Sequence, residues 1–162
     1  MRATLVVLIA GMLMVAGCST ASSTDPVPAI DSATEAELQA RTFIRACQDV
    51  ICAGAPIYAP DTTPDLVRQA ILERYTDETE YLDENEREQR TSSEGRFLDG
   101  GTLIGVEGVH STDQDNVIGV NVSISKGYRD HTGRTYLFVW NGTEWADTSP
   151  DAVNVTVTSS VS

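Results

Sequence analysis

Two thiols lie close together in the sequence, at Cys47 and Cys52, with four residues between them. Neighbouring thiols can form a redox pair, ligate zinc or form a structural disulfide. Redox pairs of the thioredoxin type have two intervening residues at the start of a helix, whereas this pair lies at the predicted end of one. Zinc needs about four ligands, and neither His110 nor His131 stands at a recognisable metal-binding spacing. The pattern therefore favours a structural disulfide over a redox or metal site.

The remaining polar residues form no recognisable catalytic motif. The carboxylates from Asp77 to Glu88 lack the pattern and the glycines of a calcium-binding loop. No serine stands in a G-x-S-x-G motif, and the glycines form no phosphate-binding loop. His110 at a predicted strand end and His131 in a predicted turn are positions more typical of surface residues than of catalytic bases. The sequence predicts no catalytic, cofactor-binding or metal-binding residue and leaves open whether the protein is an enzyme.

The first seventeen residues have the composition of an export signal. Arg2 supplies a positive charge, and residues 3–15 form an uncharged apolar run. Such a run fits the roughly 7–15 apolar residues of a signal peptide and is shorter than the ~20 residues of a membrane-spanning helix. Val15-Ala16-Gly17-Cys18 resembles the lipobox of bacterial lipoproteins. The resemblance implies that residues 1–17 are removed and that Cys18 carries acyl chains, such as palmitate, on the extracytoplasmic face of the cell membrane.

Two other interpretations of the leader stay open, namely an ordinary secretory signal and an uncleaved anchor. Polar residues begin at once with Ser19, which disfavours an anchor. The chain has three cysteines, so lipidation of Cys18 leaves Cys47 and Cys52 as an even pair in an oxidising compartment. We therefore expect these two to form a disulfide. This bond requires the preceding helix to end near Cys47, because residues five apart on a continuous helix exceed the ~5.5–6 Å between Cα atoms that disulfides prefer.

The charge of the chain restricts its partners. The sequence has 11 basic and 24 acidic side chains and a net charge of −13, which becomes −14 when Arg2 is removed with the leader. Lys126 is the only lysine, a bias typical of GC-rich genomes such as those of actinobacteria. Such a surface repels nucleic acid and anionic lipid headgroups. We expect membrane attachment through the acyl chains alone, no nucleic-acid partner, and an envelope protein or glycan as the bound component.

Residues 18–30 are predicted to form a flexible tether, and residues 31–162 a single domain. Ser32-Ala33-Thr34-Glu35 matches a capping box, and a helix is expected over residues 33–47. Its apolar stripe consists of Ala36, Ala40, Phe43 and Cys47. A second helix is expected after Thr63 as N-cap and Pro64 at the first helical position. Its apolar face would consist of Leu66, Val67, Ala70, Ile71 and Tyr75.

Seven strands are predicted from short apolar runs and from alternation with a period of two. They cover residues 56–58, 80–82, 102–110, 117–125, 134–140, 144–146 and 153–157. The first two flank the second helix and could form a strand–helix–strand unit. The sequence therefore predicts an α+β fold in which N-terminal helices pack on one face of a largely antiparallel C-terminal sheet. This layout is similar to cystatin-like and NTF2-like architectures.

These patterns favour a non-catalytic lipoprotein domain that binds a partner or ligand. The alternative is a cell-envelope hydrolase whose catalytic residues are dispersed along the chain. Two surfaces are predicted to make contacts, the acidic segment (residues 77–88) and the hairpin at Asn141-Gly142. Trp140 and Trp145 flank that hairpin and could stack on a sugar or a partner, although their spacing favours a cross-strand pair in the core.

Overall fold

The computed structural model describes residues 26–49, 55–74, 79–127, 130–148 and 158–159. The helices are α1 (Ser32–Asp49), α2 (Asp65–Arg74) and α3 (Glu84–Gln89). The strands are β1 (Ile57–Pro60), β2 (Thr79–Leu82), β3 (Thr102–Ser111), β4 (Val117–Ser125), β5 (His131–Trp140), β6 (Trp145–Asp147) and β7 (Thr158–Ser159). The predicted α+β class is confirmed.

The strands form one mixed sheet in the order β2-β1-β3-β4-β5-β6, with β7 also paired to β5. β2, β1 and β3 run parallel to one another, so the strand–helix–strand unit β1-α2-β2 forms as predicted. β3, β4, β5 and β6 are antiparallel neighbours. The cystatin-like or NTF2-like layout stays a prediction.

The N-cap of helix α1 lies one residue before the predicted cap, Ser32. The Asp31 carboxylate accepts the Thr34 backbone N–H at 2.8 Å, so Asp31 and not Ser32 caps the helix. Hydrogen bonds from Thr34 lower the pKa of Asp31, in accord with its place at the positive end of the helix. The predicted stripe is buried in full, with Phe43 and Cys47 at its C-terminal end.

The far end of α1 bears on the predicted disulfide. The helix extends to Asp49, two residues past the predicted end at Cys47. Cys47 is buried in the helix. Cys52 lies outside the described residues, as does Cys18. The disulfide and the lipidation therefore both stay predictions.

Helix α2 differs from its prediction at the start and along its face. The Thr63 hydroxyl donates to the Pro60 carbonyl at 2.6 Å and so closes a turn instead of capping the helix. Val67 and Ile71 are buried, but Leu66 is 53% exposed, because the helix contacts the rest of the molecule along a narrower strip than predicted. Tyr75 lies outside the described residues.

The C-terminal strands agree closely with the alternating pattern. β4 has the predicted bounds, whereas β5 begins three residues early, so His131 lies in a strand and pairs with Ser125. The turn prediction for His131 was therefore wrong, because the pairing with β4 extends the strand past Arg134. The predicted strand over residues 153–157 lies outside the described residues.

The core lies on both sides of the sheet. Helix α1 covers one face, where Ile104, Val120 and Phe138 are completely buried, and α2 packs against α1. A smaller cluster of Tyr58, Leu82, Phe97 and Leu103 lies on the other face. Ile30, at the end of the predicted tether, packs against the larger cluster, so packing begins before residue 31. No helix among the described residues is long and apolar enough to cross a membrane.

Candidate ligand-binding groove

The structure places the two histidines far apart. His110 pairs with Gly119 on β4, and its Nε2 would lie 2.5 Å from a Cβ atom at that glycine. His131 pairs with Ser125, six residues further along β4, a distance of about 20 Å at ~3.3 Å per residue. Across the part of the chain that the structure describes, no group of three His, Cys, Asp or Glu side chains has metal-site geometry.

Several carboxylates of the acidic segment hold its own structure together. Asp83 caps α3 by accepting the Glu86 N–H at 2.7 Å, and Glu86 accepts the Asp83 N–H at 3.0 Å. Glu80 forms a two-point ion pair with Arg90, one contact of which is 2.7 Å. Glu84 and Glu88 are exposed on α3. Asp77 and Glu78 lie outside the described residues.

A polar network that the sequence patterns did not indicate surrounds the buried ring of Tyr58. The Tyr58 hydroxyl donates to Asp99, and Arg90 Nη1 donates to the same hydroxyl at 3.4 Å. Arg90 lies over the ring at 5.3 Å. A Cβ atom at Gly101 would collide with this ring, so glycine is required there. The network joins strand β1 to the segment that follows α3.

The electrostatics of this network favour a structural role. Burial raises the pKa of Tyr58, and its hydrogen bond to Asp99 raises it further. Burial alone would raise the pKa of Asp99, but hydrogen bonds from Tyr58 and from the Gly101 N–H outweigh it and lower that pKa. The ion pair with Glu80 raises the pKa of Arg90. Each group is held in its ordinary charge state, so none is prepared to transfer a proton near neutral pH.

A groove of about 280 Å³ lies where the N-terminal segment, helix α1 and the β5–β6 hairpin meet. We call it the hairpin groove. Residues from all three elements line it, among them Pro28, Leu38, Arg41, Trp140, Glu144 and Trp145. A second groove of about 390 Å³ lies on the other side of the N-terminal segment and also reaches Trp145. The predicted hairpin surface is thus part of a concave site.

The hairpin loop is fixed by one side chain. Asn141 Oδ1 accepts the Thr143 N–H at 3.0 Å, the Thr143 hydroxyl at 2.9 Å and the Glu144 N–H at 2.9 Å. Gly142 takes a φ of 99°, which glycine adopts readily. This loop sets Trp140 opposite Trp145 in the strand register.

The two tryptophans form a cross-strand pair, as the sequence interpretation preferred. Their ring centroids are 5.7 Å apart and the rings are tilted by 57°. Trp145 is only 5% exposed and Trp140 is half-buried. The Nε1–H groups of both rings are buried and find no acceptor among the described residues. Buried donors are rarely left unpaired, and each such group calls for an explanation.

The charged side chains that line the hairpin groove differ in whether they have ion-pair partners. Arg41 donates to the Trp145 carbonyl and to Asp147, both at 2.7 Å, and lies over the Phe138 ring at 4.9 Å. Glu37 pairs with Arg74 at 3.1 Å. The Glu144 carboxylate makes no ion pair with any described residue. Among the charged groups that line the groove, Glu144 therefore offers an exposed carboxylate without an ion-pair partner among the described residues.

Comparisons of the chain with protein-family models, with curated proteins and with solved structures find no significant match. The function proposed below therefore rests on the geometry of the groove and on the sequence of the leader.

Proposed function

We propose that this protein is a lipoprotein, anchored through Cys18 on the extracytoplasmic face of the cell membrane, that binds an envelope component without catalysis. The hairpin groove is the observation that carries the binding role. It joins residues more than a hundred positions apart, such as Arg41 and Trp145, into a concave surface. It also contains the exposed Glu144 carboxylate, which has no ion-pair partner among the described residues. The lipobox at residues 15–18 carries the anchor.

The position of the tether fits this role. Pro28 and Ala29 line the hairpin groove, so the predicted tether reaches the domain beside the site. The eight residues from Cys18 to Asp25 span at most about 28 Å when fully extended. A lipid on Cys18 would hold the groove near the membrane surface and raise its effective concentration for envelope components.

The second candidate function, an envelope hydrolase, receives less support. It requires a histidine or another base beside a carboxylate within a pocket. His110 and His131 line neither of the two grooves at the N-terminal segment and lie at different ends of β4.

The anchor is tested by replacing the acylated thiol. We expect Cys18→Ser to lose labelling with radioactive palmitate and to leave the membrane fraction, because the serine hydroxyl cannot form the thioether. Ser19→Ala is the matched control and should keep both properties. Palmitate labelling of Cys18→Ser equal to that of the wild type would contradict the proposal.

Binding is tested by sedimentation. The full chain, purified in mild detergent, is mixed with delipidated envelope fragments of the source cell and centrifuged. We expect it to pellet with the fragments and to remain in solution without them. Protein that stays in the supernatant at all fragment concentrations would contradict the binding role.

A further inference from the structure

We infer that the two grooves beside the N-terminal segment are the open ends of one trough, and that residues 26–30 form a strap that covers its middle. The ligand that fits this trough is an apolar peptide segment of an envelope protein, which displaces the strap when it binds. This inference rests on the proposed function, since it names the ligand class of the same site.

The strap separates the hairpin groove from the second groove. Pro28, Ala29 and Trp145 line both of them. The strap therefore crosses the domain at Trp145, with about 280 Å³ of open space on one side and about 390 Å³ on the other. Once the strap is lifted, the two spaces join into one trough, which lies well within the ~300–1,000 Å³ typical of ligand pockets.

Few contacts hold the strap in place. Its five residues make no hydrogen bond and no ion pair with any described residue. Four of them are exposed, and Ile30 is the one strap residue that packs against the larger core cluster. Segments with few buried apolar contacts and without backbone hydrogen bonds open at a low cost in free energy. The cap at Asp31 holds the start of helix α1, so the strap can lift without unwinding the helix.

The floor of the trough selects an apolar ligand. Val117, Ile118 and Trp145 line the second groove, yet each is less than 10% exposed. Lifting the strap brings apolar surface of these residues into contact with water, which is unfavourable unless a ligand covers that surface again. A ligand that replaces the strap must therefore present apolar surface of its own.

The strap itself indicates the kind of ligand that fits. It is an uncharged peptide, Pro-Val-Pro-Ala-Ile, that lies on the domain without backbone hydrogen bonds to described residues. Pro26 and Pro28 fix their φ angles and have no N–H, which keeps such a segment extended before it binds. A segment of similar composition from another protein fits the same trough. It has no need to pair with the edge strand β6, whose Trp145 carbonyl is already occupied by Arg41.

The exposure of Trp145 is the readout for the strap. Trp140→Phe leaves Trp145 as the only tryptophan of the full chain, and acrylamide quenching of its emission then measures its exposure. In this background we expect Val27→Ser/Ile30→Ser to raise the quenching constant about 2-fold or more, because the strap opens. Ile44→Ser, which changes an equally half-buried isoleucine on α1, is the matched control and should leave the constant unchanged.

Circular dichroism verifies that each variant is folded. Should Val27→Ser/Ile30→Ser not fold, the milder variant Ile30→Ala takes its place in the quenching experiment, with Ile44→Ala as its control.

Sedimentation with delipidated envelope fragments decides whether the strap covers the site or forms part of it. A ligand that must displace the strap binds more tightly when the strap is weakened, because the open state is then more populated. We expect Ile30→Ala to bind the fragments about 3- to 10-fold more tightly than the wild type. Ile44→Ala should bind like the wild type. Protease treatment of the fragments should abolish sedimentation, because the ligand is a protein segment.

Three results would overturn the inference. One is an unchanged quenching constant in the folded strap variant. Another is equal or weaker binding by Ile30→Ala, which would make the strap a wall of the site and not its cover. The third is sedimentation that survives protease treatment, which would assign a glycan ligand. All three leave the proposed function intact as long as untreated fragments bind the wild-type chain, whereas failure to bind them defeats the proposed function itself.

Discussion

Single tyrosine hydroxyls attach separate parts of the chain to the sheet. The Tyr136 hydroxyl donates to Asp49, the last residue of α1, at 2.7 Å. Arg134 pairs with the same carboxylate at 3.4 Å, and Arg45 lies over the Tyr136 ring at 5.2 Å. In the same way, the Tyr58 hydroxyl donates to Asp99 and attaches the segment after α3 to strand β1. These contacts join residues that are more than forty positions apart, so no local sequence pattern indicates them.

Tyr136→Phe should reduce the free energy of unfolding at neutral pH by about 1–2 kcal/mol, because it removes a hydrogen bond to a charged group. The pKa of Tyr136 is raised from 10.0 to about 12, mainly by burial and secondly by the hydrogen bond to Asp49. A pKa raised by folding gives stability that is complete below the unfolded pKa and is lost as pH rises from 10 to about 12.

The difference in stability between wild type and Tyr136→Phe should therefore narrow above pH 10, as measured by urea unfolding at increasing pH. The other tyrosines titrate in both proteins and cancel in this comparison. A difference that stays constant through this range would show that the Tyr136 hydroxyl does not have the raised pKa.

At the scale of elements, the acidic segment is more a structural feature than a binding surface. Its capping box fixes the start of α3, and its Glu80 holds Arg90 against Tyr58. Only part of its charge, such as Glu84 and Glu88, is left exposed.

Asp83→Ala should lower the free energy of unfolding by about 1 kcal/mol, the usual cost of losing an N-cap. Glu84→Ala removes the same charge one residue later without removing a cap, so it should change stability by less than about 0.5 kcal/mol. Urea unfolding of the two variants measures the contrast. Equal losses would mean that the lost charge, and not the cap, determines the effect.

The elements that were predicted well have a strong local period. β4 alternates over nine residues and has its predicted bounds, because alternation alone specifies a half-buried strand. The errors occur where tertiary contacts determine the bounds of an element. In β5, for example, pairing with β4 includes His131 in the strand. The N-cap of α1 differed by one residue because two neighbouring residues, Asp31 and Ser32, could both cap it.

The hairpin groove was predictable only in part. Trp140, Trp145 and the Asn141-Gly142 turn indicated the hairpin and a surface for contacts. Nothing in the spacing indicated that α1 would supply the opposite wall, since Arg41 meets Asp147 across 106 positions. The burial of the two indole N–H groups also depends on tertiary packing and is not indicated by the spacing.

For the whole molecule, the two surfaces that could bind lie at opposite edges of the sheet. β2, next to the acidic segment, forms one edge, and β6, next to the hairpin groove, forms the other. Substitutions at one edge therefore leave the other undisturbed, and effects at well-separated sites usually add independently. This separation allows the two surfaces to be compared in one assay.

Sedimentation of full-chain variants with delipidated envelope fragments tests the central claim, that binding occurs at the hairpin groove. We predict that Glu144→Ala weakens binding about 3- to 10-fold, as expected for the loss of one hydrogen bond. The double variant Glu84→Ala/Glu88→Ala should bind like the wild type even though it loses more charge. Loss of binding in the double variant with full binding by Glu144→Ala would contradict the claim and assign the partner to the acidic segment.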